Sequence, residues 1–288
     1  MKMIIYFLQS IIIFLLFIIF RIIGYKNASN LGAFLGRVFG KLIKTDKIIL
    51  KNLDIISKST KENIENKNQV VSNVFSNYGR VLAEYVYLKN FRSGLLKDNI
   101  NIIGSKYLEE IKLKNKRVVF ISGHFNNFEL MAMYIEASGI NLCAIYRPLN
   151  NFFLNKIMED IRINHICKNQ IKKGKSGTRK LLEFLKKNYS VALMVDQRVT
   201  EGIKSNFFGR PASTTTIPAQ IIKKYDCEIV PVYIERFDNI KFNLIINKPI
   251  KFNKELNTEI ITLELNKIIE KMVLNNPSQW ILTHNRWK

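Results

Sequence analysis

The segment Ser122-Gly123-His124-Phe125-Asn126-Asn127-Phe128-Glu129 sets an imidazole five residues ahead of a carboxylate, where the apolar run RVVFIS gives way to a helical pattern. Five steps of about 100° within one helix would leave the two side chains roughly 140° apart. They meet only if His124 lies on the turn before a helix and Glu129 in its first turns, with Gly123 lending that turn its freedom. A neutral imidazole beside a hydroxyl takes its proton, and a carboxylate on the other ring nitrogen fixes the tautomer and favours the imidazolium that forms. These are the base and orienter of a hydrolase triad without its nucleophile. The chain has no G-x-S-x-G elbow, so the activated hydroxyl would belong to a substrate. Taken alone, the spacing is a weak signal, better matched by a surface or core histidine with a glutamate nearby by chance.

Other polar residues stand at the ends of apolar runs. Arg147, ahead of Pro148, is placed either to bind a phosphate through both arms of its fork or to pair with a surface carboxylate. Asp196, after SVALMV and before Gln197, ends a strand pattern where a charge is costly unless paired, so it is read as a structural partner for an Arg or as a functional group. Lys172, Lys173 and Lys175, with Gly174 and Gly177 ahead of a helix, form a phosphate site or a solvated loop. His165 beside Cys167 supplies two ligands, too few for a metal site, and His284 has no comparable setting.

The elements that hold these residues follow an α/β rhythm from residue 116 onward. Strands are expected at 117–122, 142–146, 190–195, 228–235 and 241–246, and helices at 127–138, 151–164, 177–187, 214–224 and 258–274. A central sheet flanked by helices is the economical fold, with chemistry at the strand ends. Ahead of it, 70–88 reads as a helix ending in aromatic residues, and 45–75 is polar. No linker or internal repeat divides the chain. The expected organisation is a membrane anchor at 1–24, a helical membrane-proximal part at 25–115 and a catalytic α/β domain at 116–288.

The anchor is MIIYFLQSIIIFLLFIIF, residues 3–20, eighteen positions without a charge and just long enough to span the hydrocarbon core. No small-residue cleavage site follows, as a signal peptide would require. Lys2 precedes the run, whereas Arg21, Lys26, Arg37, Lys41, Lys44 and Lys47 follow it, so the positive-inside tendency puts the bulk of the chain in the cytoplasm. Cys143, Cys167 and Cys227 are odd in number and scattered, which fits a reducing compartment. In 31–43, apolar residues recur at helical spacing above a basic edge, and Gly32, Gly36 and Gly40 recur every fourth position. That stretch reads as a core-facing helix or an interfacial one. The formal charge is +22, with 47% hydrophobic and 24% charged residues, so the basic excess sits on a folded protein. Nucleic acid is not an expected partner, because no reader module or interleaved basic and aromatic motif accompanies the charge.

SGHFNNFEL resembles the H-x-x-x-x-[D/E] signature of the glycerolipid acyltransferases, and more narrowly the GHFGNWE segment of the bacterial lauroyl and myristoyl transferases of late lipid A biosynthesis. Tyr146-Arg147-Pro148, Val195-Asp196-Gln197, Phe207-Phe208-Gly209 and the closing Pro277-Ser278-Gln279-Trp280 through Arg286-Trp287-Lys288 are similar, in order, to further blocks of that family, with Ser278 where Glu is common. Arg162 stands where the family carries a functional Arg. The resemblance implies an inner-membrane acyltransferase of glycerolipid-acyltransferase fold. It would move a fatty acyl group from acyl carrier protein to a hydroxyl on a primary acyl chain of a Kdo-bearing lipid A precursor, beside an anionic membrane and without cofactor or metal. A lysophospholipid or other glycolipid acceptor is the alternative. His124 and Glu129 are the implied catalytic pair. Arg147, Arg162, Asp196 and Gln197 are the implied substrate contacts, with positioning of the pair as a second role for the two arginines.

Overall fold

The computed structural model describes residues 2–40, 42, 45–61 and 66–288. Helices lead the chain: α1 (Lys2–Ile23), α2 (Tyr25–Gly40), α3 (Asp46–Thr60), α4 (Lys67–Glu84) and α5 (Leu88–Arg92), with a 3-10 turn at Tyr85–Tyr87. Next come β1 (Ile100–Ile103) and α6 (Ser105–Leu113), then β2 (Val118–Ser122), α7 (Glu129–Ala137), β3 (Leu142–Tyr146) and α8 (Phe152–Ile161). β4 (Asn169–Lys172), α9 (Lys175–Lys186) and β5 (Ser190–Met194) continue the alternation. They precede a hairpin of β6 (Ile203–Phe207) and β7 (Arg210–Thr214), α10 (Ile217–Tyr225), β8 (Glu228–Phe237), β9 (Lys241–Ile246) and α11 (Thr258–Asn275).

Seven strands form one sheet in the order β1-β9-β8-β2-β5-β3-β4, parallel throughout except between β8 and β9. The α/β fold with a helix-flanked, mainly parallel sheet is therefore as expected. All five β2 residues are buried, as an inner parallel strand covered on its faces requires. β1 and β4 escape a reading of the sequence because they are four-residue edge strands, too short to show a period; β1 is largely exposed and β4 is mostly polar. β1 falls within 25–115, yet it pairs with β9. Residue 214 closes β7, so the helix expected from 214 begins at Ile217, with Pro218 in its first turn. Phe208 and Gly209 link β6 to β7 with φ of 51° and 68°, the left-handed pair that a two-residue hairpin turn needs.

α2 carries two apolar faces, and the core-facing reading of 31–43 holds for the one that carries Gly32 and Gly36. Its glycine face lies against α4 at backbone contact: a Cβ on Gly32 would stand 2.3 Å from Gly79 O, and one on Gly79 would stand 1.9 Å from Gly32 O. Its other face exposes Phe34, Val38 and Phe39. Lys41, Ile43 and Lys44, at the end of that stretch, lie outside the described residues. α1 is about 33 Å long and apolar enough to cross a membrane.

Because α2 and α4 touch through glycine, Gly79→Val must push them apart. Over-packing of this kind costs about 1–3 kcal/mol, which thermal unfolding in detergent will show as a lowered Tm. Gly94→Ala, where φ is 81° but no atom lies within 4 Å, is expected to cost less.

Candidate active site

Sheet register brings the central pair together. β2 and β5 run parallel with Ser122 opposite Met194, so two further residues on each strand carry His124 and Asp196 to the same level at the carboxyl edge. Val195 N–H donates to Ser122 O at 2.9 Å and extends the ladder to that point. His124 Nδ1 lies 2.8 Å from Asp196 Oδ1, and the His124 backbone N–H donates to Asp196 Oδ2 at 2.8 Å. Trp280 Nε1 donates to the same Oδ2 at 2.8 Å. The carboxylate on the imidazole is thus Asp196. Its partners are a histidine and an indole, in place of the arginine that a structural ion pair would have supplied.

Burial works against a charge on Asp196, but His124 and the donated hydrogen bonds outweigh it and hold the carboxyl below its ordinary range. For His124, burial disfavours the imidazolium, whereas Asp196 and, less strongly, Glu129 favour it; the net effect lifts its pKa above 6.5. With Nδ1–H donating to Asp196, Nε2 is the ring nitrogen left to accept a proton. The His124 side chain is 20% exposed at this point.

Glu129 opens α7, so the expected placement of His124 on the turn and the glutamate in the first helical turn is correct. Its hydrogen bonds, however, go elsewhere. Arg162 Nε and Nη2 donate to Glu129 Oε1 at 2.8 and 2.6 Å, and the Tyr85 hydroxyl donates to the same oxygen. Arg162 Nη2 also reaches Tyr85 Oη at 3.2 Å. Burial, then the Glu129 charge, pushes the Tyr85 phenol far up, which keeps it a neutral donor. Burial disfavours the Arg162 charge, but Glu129 reverses that and raises its pKa. Arg162 begins a π-helical turn at Arg162–Ile166, stands over the Tyr146 ring and is itself buried. Two of its three guanidinium nitrogens are thus committed to Glu129 and Tyr85, while the residue also lines the cleft.

Gly123 serves by space more than by freedom. Its φ is not left-handed, but a Cβ there would meet the Phe125 ring at 2.8 Å and Asp196 Oδ2 at 3.1 Å. The left-handed residue of the turn is Asn126, at φ 43°. Its N–H donates to Gln279 O at 3.0 Å and its side-chain amide to Gln279 Oε1, while Phe125 pairs with Trp280 as an isolated bridge. Asn127 Nδ2 donates to the fully buried Glu84 at 3.2 Å, and Arg236 clamps Glu84 at 2.6 and 2.9 Å. The turn is therefore held from β5, from the C-terminal segment and from the end of α4.

His124, Glu129, Arg147, Arg162 and Gln197 line one cleft of about 400 Å³, with Asp196 buried behind His124. Its wall includes Phe128, Ala132, Ala144, Leu193 and Met194, and its rim carries the cations Arg147, Lys173 and Arg198. Among the described residues, no carboxylate pairs with Arg147 and no Ser, Thr or Cys lines the cleft. Lys172 turns instead to Glu159 at 3.1 Å, which separates it from Lys173. His284 Nε2 accepts from Arg198 N–H at 2.9 Å. Tyr85 and Trp280 are the site residues with no prior sign in the residues themselves. Trp280 stood in the family-like closing block without a role, and Tyr85 was one of several aromatics ending a helix.

A carboxylate-bound histidine at the carboxyl edge of a parallel sheet, facing a cleft of mixed apolar and basic lining, has the geometry of a general base. The chain belongs to the bacterial lipid A biosynthesis acyltransferase family, whose sequence model matches residues 1–288. It is similar to the lipid A biosynthesis palmitoleoyltransferase of Escherichia coli (strain K12), at 22% identity over 275 residues covering 92% of this chain and 86% of that protein. The lipid A biosynthesis acyltransferase of Shigella flexneri matches with the same identity and coverage.

Asp196→Asn removes the charge that lifts the His124 pKa. For a general base the neutral imidazole is the working form, so activity of the unmodified protein is expected to fall as pH drops through the raised His124 pKa. The variant is expected to carry that acid limb at lower pH, with a plateau reduced by roughly 10²- to 10⁴-fold. A pH profile of kcat/KM measures both effects.

Proposed function

We propose that this family member transfers a fatty acyl group, of the lauroyl or myristoyl class, from acyl carrier protein to a hydroxyl on a primary acyl chain of a Kdo-bearing lipid A precursor. It would act at the cytoplasmic side of the bacterial inner membrane. The observation that carries this reading is the His124–Asp196 pair, with Nε2 uncommitted above a cleft that, among the described residues, is lined by no serine, threonine or cysteine.

The acceptor hydroxyl donates its proton to His124 Nε2 as its oxygen attacks the thioester carbonyl carbon. Asp196 holds the imidazole in the correct tautomer and stabilises the imidazolium. When the tetrahedral intermediate collapses, the carbon–sulfur bond breaks and the proton passes from His124 to the leaving thiolate, so base and acid are one residue. Glu129, fixed by Arg162 and Tyr85, adds a second negative charge that favours the imidazolium. The apolar cleft wall supports a role in holding the acyl chain. Arg147, unpaired at the rim, suits a phosphate of the acceptor, and Gln197 is a neutral donor on the same wall. A basic surface also suits three anionic neighbours: the lipid A precursor, the acidic carrier protein and the membrane.

His124→Ala is expected to leave the protein folded and membrane-bound while transfer falls by about 10²- to 10⁴-fold or more. Purified enzyme given a tetra-acylated, Kdo-bearing precursor and a mixture of acyl carrier protein thioesters checks this and reports chain length by product mass. Near-normal turnover by the variant would remove His124 from the mechanism. A palmitoleoyl product would align the chain with its Escherichia coli relative. In a deletion strain, an unchanged lipid A acyl count would point to another lipid acceptor.

A further inference from the structure

Ser10 is the buried polar residue of α1, 2% exposed within an otherwise apolar run, and it stands about 2 Å along the axis from the middle of residues 3–20. Its hydroxyl reaches Asn151 Oδ1 at 3.2 Å and Tyr6 O at 2.7 Å, while Asn151 Nδ2 donates to Tyr6 O at 2.9 Å. The Phe7 and Phe153 rings meet edge to face at 5.5 Å. Further along α1, Arg21 donates to Val86 O and Asn90 Oδ1 at 2.9 Å, and Phe20 is buried. α1 is thus fastened to the α/β body near its middle, through Asn151 and Phe153, and to the helical N-terminal part near its end, through Val86 and Asn90.

Depth is transmitted through such a contact. The outer face of α1, with Ile4, Leu8, Ile12, Leu15 and Ile18 exposed, calls for hydrocarbon. Whatever the tilt of the helix, a group bonded to the middle of that run is carried to the depth of the middle. The segment around Asn151 pairs exposed apolar side chains with a satisfied helix start, Asn150 being the exposed polar residue among them. Asn151 Oδ1 also caps α8 by accepting from Phe153 N and Leu154 N at 3.1 and 3.4 Å, which satisfies amides that would be expensive to leave bare in lipid. On either side, Leu149 and Phe152 stand exposed by 39% and 50%. Leu149 lines the cleft that contains His124.

We propose that residues 149–153, the rim of the catalytic cleft, are seated in the bilayer hydrocarbon beside α1, so that the cleft opens laterally to lipid. The occupant of this apolar surface is the membrane itself. Resting on the acyltransferase reading, the arrangement lets the acceptor present its acyl-chain hydroxyl to His124 without leaving the bilayer.

The test uses the full chain in vesicles of phosphatidylethanolamine and phosphatidylglycerol, with a Phe152→Trp variant read against the emission of the unmodified protein, whose Trp280 and Trp287 supply the background. Phospholipids brominated along the acyl chain are expected to quench the added emission by half or more, and aqueous iodide to leave it unaffected. Leu149→Trp repeats the measurement should the first variant fold poorly. Leu113→Trp, at an 85% exposed position closing α6, is the control expected to respond to iodide alone. Iodide quenching without bromolipid quenching at positions 149 and 152 overturns the proposal. The readout needs no turnover, so failure of the acyltransferase assignment would leave it standing, and an active enzyme with a water-exposed rim would separate the two ideas.

Discussion

A single buried carboxylate organises the catalytic half of the molecule. Asp196 is 1% exposed and takes hydrogen bonds from the His124 ring, the His124 backbone and the Trp280 indole. A buried charge without partners is expensive, so the strand end, the turn after β2 and the C-terminal segment are constrained to meet where its two oxygens lie. Supporting contacts follow from that demand. Phe207 packs between Trp280 and Trp287, at 5.8 and 5.6 Å, and Trp287 Nε1 donates to Phe207 O at 2.9 Å. The fully buried Arg286 donates to Ser213 O and Thr214 Oγ1 at 2.7 and 2.6 Å. The β6–β7 hairpin, none of whose residues lines the cleft, is thereby part of the scaffold that fixes an indole on Asp196.

Adjacent residues at the end of α4 do complementary work. Glu84 takes Asn127 and Arg236, whereas Tyr85, one position on, takes Glu129 and Arg162. The glycine contact between α2 and α4 sets where α4 ends, so the helical N-terminal region reaches the chemistry through backbone packing. Two buried acid–base pairs, Glu84 with Arg236 and Glu129 with Arg162, flank the His124 turn from separate elements. Their net contribution to stability is modest once desolvation is counted, and their geometric value is specificity of placement.

Much of this was readable from the chain itself. Residues 142–146 and 241–246 are strands to the residue, because alternating or continuous apolar runs ended by polar residues leave little choice. The His124 turn and the start of α7 near Glu129 followed from helical geometry alone. What escaped was long-range pairing. Nothing local distinguishes Asp196 from Glu129 as the imidazole's partner; the decision lies in the offset between β2 and β5, which only the assembled sheet defines. Likewise, the Arg162 charge looks solvated on a helix until a π-helical turn and Glu129 bury it. Edge strands such as β4 carry too few apolar residues to announce themselves, and the hairpin turn hides behind Phe208, a side chain rarely tolerated at positive φ.

The reliance of Asp196 on Trp280 also sets an order of events during synthesis. α1 ends at Ile23, and more than 250 further residues must be added before Trp280 exists. At translation rates of about 5–20 residues per second, that interval lasts roughly ten to fifty seconds. Throughout it the nascent chain already holds its most lipophilic helix, while the carboxylate that orients His124 still lacks one of its donors. The most apolar helix of the chain is therefore complete for tens of seconds before the last donor to Asp196 is made.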